Sequence, residues 1–81
     1  METRVAVISI IVEDLSAVER LNALLHDYSG FIIGRVGLPY REKDIHIISI
    51  ALDAPADTIN ALTGALGRIS GISAKANFAG R

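Results

Sequence analysis

The stretch RVGLPYREKDIHIISI, residues 35–50, gathers two arginines, a tyrosine and a histidine around a glycine, a proline and the alternating charges Arg41-Glu42-Lys43-Asp44. Arg35 stands mid-strand between Gly34 and Val36, where its guanidinium either meets solvent or reaches an anion or carboxylate through paired N–H donors. Tyr40 adds a phenol to the same segment, and upstream Asp14 and Ser16 put a carboxylate and a hydroxyl into the loop after the first apolar run. Asp14, Ser16, Arg35 and Tyr40 are therefore the candidate ligand-binding residues. A plainer account is also available, because Pro39 followed by mixed charge over Leu38–Asp44 is what the tip of a solvated hairpin requires.

Other chemistry finds less support. A metal site needs at least three converging donors. The chain has no Cys, His46 stands beside Asp44 near one strand, and His26 belongs to a helical pattern elsewhere. His26, Asp27 and Tyr28 are neighbours in sequence and so point to different sides of a helix. The serines occur in no nucleophile elbow and in no recognisable pairing with a histidine. The glycines of GALGRISG follow a helix rather than a strand, so they form no phosphate loop. Gly64 and Gly67 are expected to let the second helix pack closely on the sheet or a neighbour. No catalytic residue, metal or cofactor is expected, and the chain does not read as an enzyme.

The 81 residues make one domain, 1–81, and a chain this short buries only about 60–65% of its unfolded surface. Partner subunits are the natural addition to so small a core. A formal charge of −1, evenly spread, supplies no footprint for a phosphate backbone, so direct nucleic-acid binding is not expected. The longest apolar run, Val5–Val12, is far below the roughly 20 residues of a membrane span. Met-Glu-Thr-Arg does not open a signal peptide, and the absence of cysteine suits a reducing cytoplasm.

The elements that must position these residues are written twice. Ile8-Ser9-Ile10 returns as Ile48-Ser49-Ile50. Val18, Leu21, Leu25 and Tyr28 have the spacing of Ile59, Leu62, Leu66 and Ile69, each set one stripe of an amphipathic helix. Ser16 and Glu19 read as a capping box, Asp53 and Pro55 as a cap with a first-turn proline, and Gly30 and Gly71 as stops. Each half is thus strand, helix, strand: 4–13, 15–28 and 31–38, then 45–52, 55–69 and 72–78. Joined by a hairpin, they predict an α+β, ferredoxin-like βαββαβ two-layer sandwich, a four-stranded antiparallel sheet with both helices on one face.

The far face of such a sheet should be polar, yet the first and third strands are apolar on both sides. Ile8, Ile10, Val12, Ile48, Ile50 and Leu52 share one face; Val5, Val7, Ile11, Ile45, Ile47 and Ala51 share the other, relieved by Ser9 and Ser49. An open patch of this kind reaches several hundred Å², about what a monomer tolerates. The expectation is a homo-oligomer, dimer or tetramer, assembled through those six residues. Ile72, Ala74, Ala76 and Phe78 alternate with polar residues, as an edge strand does.

Three stretches carry a family resemblance: Arg35-Val36-Gly37-Leu38-Pro39-Tyr40-Arg41 leading into the hairpin, Asp57-Thr58-Ile59-Asn60-Ala61-Leu62-Thr63-Gly64-Ala65-Leu66-Gly67 on the second helix, and Ile69-Ser70-Gly71-Ile72 at its exit. With VEDLSAVERLNALLHDYS on the first helix, the whole chain resembles the regulator family of the iron-only hydrogenase system. That family is ACT-like and related in fold to the C-terminal domain of nickel-responsive repressors. The resemblance implies a stand-alone, oligomeric regulatory or small-ligand-sensing module, or alternatively a scaffold that binds no ligand. The loop Glu13-Asp14-Leu15-Ser16 lacks the glycine of amino-acid-binding ACT domains, and His46 alone does not make the ligand set of a nickel sensor.

Overall fold

The computed structural model describes residues 2–80; Met1 and Arg81, the ends of the expected 1–81 unit, lie outside the described residues. Six main elements occur in chain order: β1 (Arg4–Val12), α1 (Val18–Asp27), β2 (Ile32–Tyr40), β3 (Ile45–Ala54), α2 (Ala56–Gly67) and β4 (Ile72–Phe78). The strands form one antiparallel sheet in the order β2-β3-β1-β4. This is the ferredoxin-like arrangement expected from the duplicated pattern, with β1 and β3 central and β2 and β4 at the edges.

The repeated tripeptides become direct neighbours, since β1 pairs with β3 as Ile8↔Ile50, Ser9↔Ser49 and Ile10↔Ile48. One parity of each central strand faces the helices, and Ala6, Ile8, Ile10 and Val12 are buried there with Ile48, Ile50, Leu52 and Ala54. Leu21 and Leu25 from α1 and Ile59, Leu62 and Leu66 from α2 close this core. At 3.6 residues per turn these positions fall on one side of each helix, while strand side chains alternate, so both periods deliver apolar groups to the same layer.

The helix starts differ from the expected caps. Ser16 does not cap α1: its backbone N–H and hydroxyl both donate to Asp14 Oδ1, at 3.0 and 2.7 Å, inside a 3₁₀ turn over Leu15–Ala17. The helix then begins after Ala17 with no side-chain cap. Asp14 wins because its carboxylate lies two residues back, the geometry of an Asx turn, within direct reach of both Ser16 donors. At α2, β3 continues through Asp53 to Ala54, and Pro55 itself holds the cap position with no side-chain bond. Its carbonyl accepts from Thr58 and Ile59 at 2.9 and 3.1 Å.

Of the two expected glycine stops, Gly71 has φ +84° and Gly30 has no positive φ. Gly30 instead sits in a 3₁₀ turn, Ser29–Phe31, after Tyr28 has ended α1. The expectation of close packing within the chain at Gly64 and Gly67 also fails: a Cβ at Gly67 would meet nothing within 4 Å, and one at Gly64 only the tip of Arg68.

Candidate functional site

β2 runs two residues further into the hairpin than its sequence suggests, to Tyr40, and Pro39 pairs within it opposite His46. An edge strand accepts proline because its missing N–H deprives no neighbour of a bond. A 3₁₀ turn over Arg41–Lys43 and a left-handed Asp44 (φ 53°) then reverse the chain. Asp is among the few side chains that adopt that conformation readily.

The register decides where the candidate residues go. It is shifted between Ile32 and Gly34, so one residue of β2 is left over. Such a bulge reverses the facing of every residue beyond it. Arg35 pairs with Ile50, which is fully buried beneath the helices, whereas Tyr40 pairs with Ile45 on the other face. Arg35 therefore stands on the helix side, where its Nη2 donates to Asn22 Oδ1 on α1 at 2.8 Å. Asn22, His26, Ser29 and Arg35 edge a cleft of about 310 Å³ whose floor is Leu25 and Ile32.

Asp14, Ser16 and Tyr40 belong to the opposite end of the sheet. Asp14 and Ser16 satisfy each other, and this pair of bonds holds the Asp14 carboxyl below its ordinary value of 3.8, the Ser16 hydroxyl acting more than the Ser16 N–H. Leu15, between them, walls a small cleft of about 170 Å³ with Pro39, Tyr40, Ile45 and His46. The Tyr40 hydroxyl donates to Glu42 at 3.4 Å, a long bond. Arg35 and Tyr40 thus line two separate clefts, and Asp14 and Ser16 flank Leu15 at the second without lining it.

Asn22, His26 and Ser29 were not singled out for the Arg35 cleft, although a mid-strand arginine on a helix-covered face needs an acceptor and Asn22 lies on the exposed shoulder of α1. Among the described residues no three His, Cys, Asp or Glu side chains gather as metal ligands do. No helix among them is long and apolar enough to cross a membrane.

The six residues expected at an interface all project from the helix-free face. Val7 is opposite Ala51, Ile11 opposite Ile47, and Val5 opposite Asp53. Val5, Val7 and Ile47 are exposed, and β2 extends the patch with Val36 and Leu38, 68% and 58% exposed. The β4 side of the same face is polar, carrying Ser73, Lys75 and Asn77.

Among solved structures, the chain is similar to that of "uncharacterized protein TM1266 from Thermotoga maritima", with 41% identity and a TM-score of 0.91 over 95% of this chain and 98% of that one. None of the curated proteins matches it. Residues 4–76 match the family model described as "TM1266-like: Iron-only hydrogenase system regulator, putative". Both helices, the hairpin that carries Arg35 and Tyr40 and the sheet up to Ala76 lie inside that match, and the chain belongs to the TM1266-like family.

Proposed function

We propose that this chain is a regulatory rather than catalytic module of an iron-only hydrogenase system, working as a homo-oligomer, dimer or tetramer, that responds to a small molecule. The observation that carries the reading is the uncovered apolar face, on which Val36, Leu38, Val5 and Val7 stand in the open. Water-facing sheet is normally polar, and an apolar face of this extent is what a partner subunit covers. Val5, Val7, Ile11, Ile45, Ile47 and Ala51 are the contacts of that assembly.

Two places are proposed to receive a ligand. Arg35, already held by Asn22, offers its remaining donors to a carboxylate or similar anion over the Leu25–Ile32 floor. At the hairpin end, Tyr40 lines a second cleft with Leu15, whose neighbours Asp14 and Ser16 are the proposed polar contacts of a ligand there.

Solution mass by light scattering, followed by calorimetric titration with amino acids, nucleotides and divalent cations, tests both parts. A mass above that of the monomer and saturable heat with one compound, lost in Arg35→Gln or Tyr40→Phe, is the expected result. A monomer that binds nothing in the panel overturns it.

One observation favours a second reading, a scaffold that binds no ligand. Asp14 Oδ1 takes both the Ser16 N–H and the Ser16 hydroxyl proton, which leaves that loop no side-chain donor for a small molecule. An oligomer that is silent in titration but retains a specific protein from its native cell extract would select this alternative.

A further inference from the structure

The outer surface of the helical layer, remote from the open sheet face, holds two arginines that neither the fold nor the proposed assembly uses. Arg20 of α1 and Arg68 at the end of α2 line one cleft of about 320 Å³, floored by Leu24, Ala65 and Ile69. Both arginines are exposed, while Leu24 and Ala65 are half-buried and Ile69 is buried.

Neither guanidinium has an acid placed to neutralise it along its own helix. Ion pairs on a helix join residues three or four apart. Those positions around Arg20 are Ser16, Ala17, Ala23 and Leu24, and those before Arg68 are Gly64 and Ala65. Among the described residues the arginines with side-chain hydrogen bonds are Arg4 and Arg35. Two like charges bordering one groove repel each other, and an anion between them converts that repulsion into attraction.

The groove is kept open by small residues. The exposed Arg68 side chain reaches back over Gly64, with Nη1 3.5 Å from where a Cβ would stand. The C-terminal end of α2 bears partial negative charge that holds the Arg68 cation there but opposes an anion, so it is the pair of guanidiniums that must attract one. Ala65 leaves room beside it, and Leu24 and Ile69 present apolar wall to whatever accompanies the anion.

We propose that the Arg20–Arg68 groove between the two helices binds the phosphate group of a small phosphate monoester, with the ester's organic part lying on Leu24 and Ile69. Two guanidiniums match the charge and the three acceptor oxygens of a phosphate dianion better than those of a single carboxylate. The groove faces away from the apolar sheet face, so it stays open whether or not subunits assemble there, and the inference is independent of the regulatory reading.

The test is an amide NMR and calorimetric titration of the full chain at constant ionic strength, with phenyl phosphate, inorganic phosphate and acetate as probes. Saturable shifts at Leu24, Ala65 and Arg68 with phenyl phosphate are expected, with weaker binding of inorganic phosphate. Arg20→Gln and Arg68→Gln should each weaken phenyl phosphate about tenfold, or ~1.4 kcal/mol, and Lys43→Gln, in the hairpin turn, should leave it unchanged. Both arginines are exposed, so these variants keep the fold, and circular dichroism checks that they do. Shifts that acetate reproduces, or that survive in the double variant, overturn the site; equal binding of the two phosphates overturns the ester assignment.

Discussion

Gly71 is pressed against Asp14: its carbonyl accepts from Glu13 N at 2.7 Å and Asp14 N at 3.3 Å, and a side chain at Gly71 would overlap the Asp14 Cβ. The contact ties the exit of α2 to the loop leaving β1, and at φ +84° only glycine is unstrained. Gly71→Ala should therefore lose about 2 kcal/mol or more, since a left-handed non-glycine residue alone costs roughly 1–2 kcal/mol and the overlap adds to it. Gly67→Ala, where a Cβ meets nothing, should gain up to about 1 kcal/mol from helix propensity. Urea denaturation of the two variants measures the contrast, and equal effects would contradict it.

Asp14 gives the fold an acid-side dependence. Its carboxyl is held below its ordinary value by the Ser16 hydroxyl and, less strongly, by the Ser16 N–H. A folded-state value lower than the unfolded one means that the ionised carboxylate stabilises the loop at all pH values above the unfolded value. That contribution fades as pH falls through the folded-state value. Ser16→Ala removes the larger cause, so the Asp14 titration should move up toward 3.8 and the stability difference from the parent chain should vanish in strong acid. Carbon-detected NMR titration and acid denaturation read the two effects.

The core leaves little margin. Leu62 is fully buried on α2 between Ile59 and Leu66. Truncation of such a residue costs about 2–5 kcal/mol, against a total of roughly 4–12 kcal/mol for a chain of this length. Leu62→Ala should lower the melting temperature by at least about 8 °C, as each kcal/mol moves it about 4–8 °C at this size. The exposed Asn60→Ala on the same helix should change it little.

The strands of this fold were more legible than its turns. The two Ile-Ser-Ile tripeptides revealed a duplication, and the structure sets them side by side because an antiparallel pair about a pseudo-two-fold axis brings equivalent positions together. Alternation in β4 and the two helical stripes were equally plain, since burial on one side imposes a period the sequence must obey. The caps were not. Ser16 had two acceptors within reach, and sequence spacing does not say which carboxylate is nearer in space. The face taken by Arg35 was not legible for a different reason: one surplus residue near Ile33 inverts the parity of β2, and a bulge beside Gly34 has no hydrophobic pattern to betray it. Arg35 and Tyr40 are five residues apart, an odd spacing that puts them on opposite faces of the strand, and the bulge sets only which face each takes.

The helix-free face is divided lengthwise, apolar along β2, β3 and β1 and polar along β4, and this division predicts where subunits meet. Val7 and Ile47 lie inside the apolar zone, opposite Ala51 and Ile11, whereas Asn77 borders it on the edge strand. A lysine at either apolar site would put an ammonium opposite Ala51 and Asn77 or opposite Ile11 and Leu38, none of them a carboxylate, and burying an unpaired charge costs more than the surrounding aliphatic contact returns. Val7→Lys and Ile47→Lys should each give a monomer by light scattering, while Asn77→Lys, next to the existing Lys75, should keep the parent mass. Dissociation by Asn77→Lys alone would move the contact to the β4 edge, and a parent chain that is itself monomeric at high concentration would show that this face stays in water.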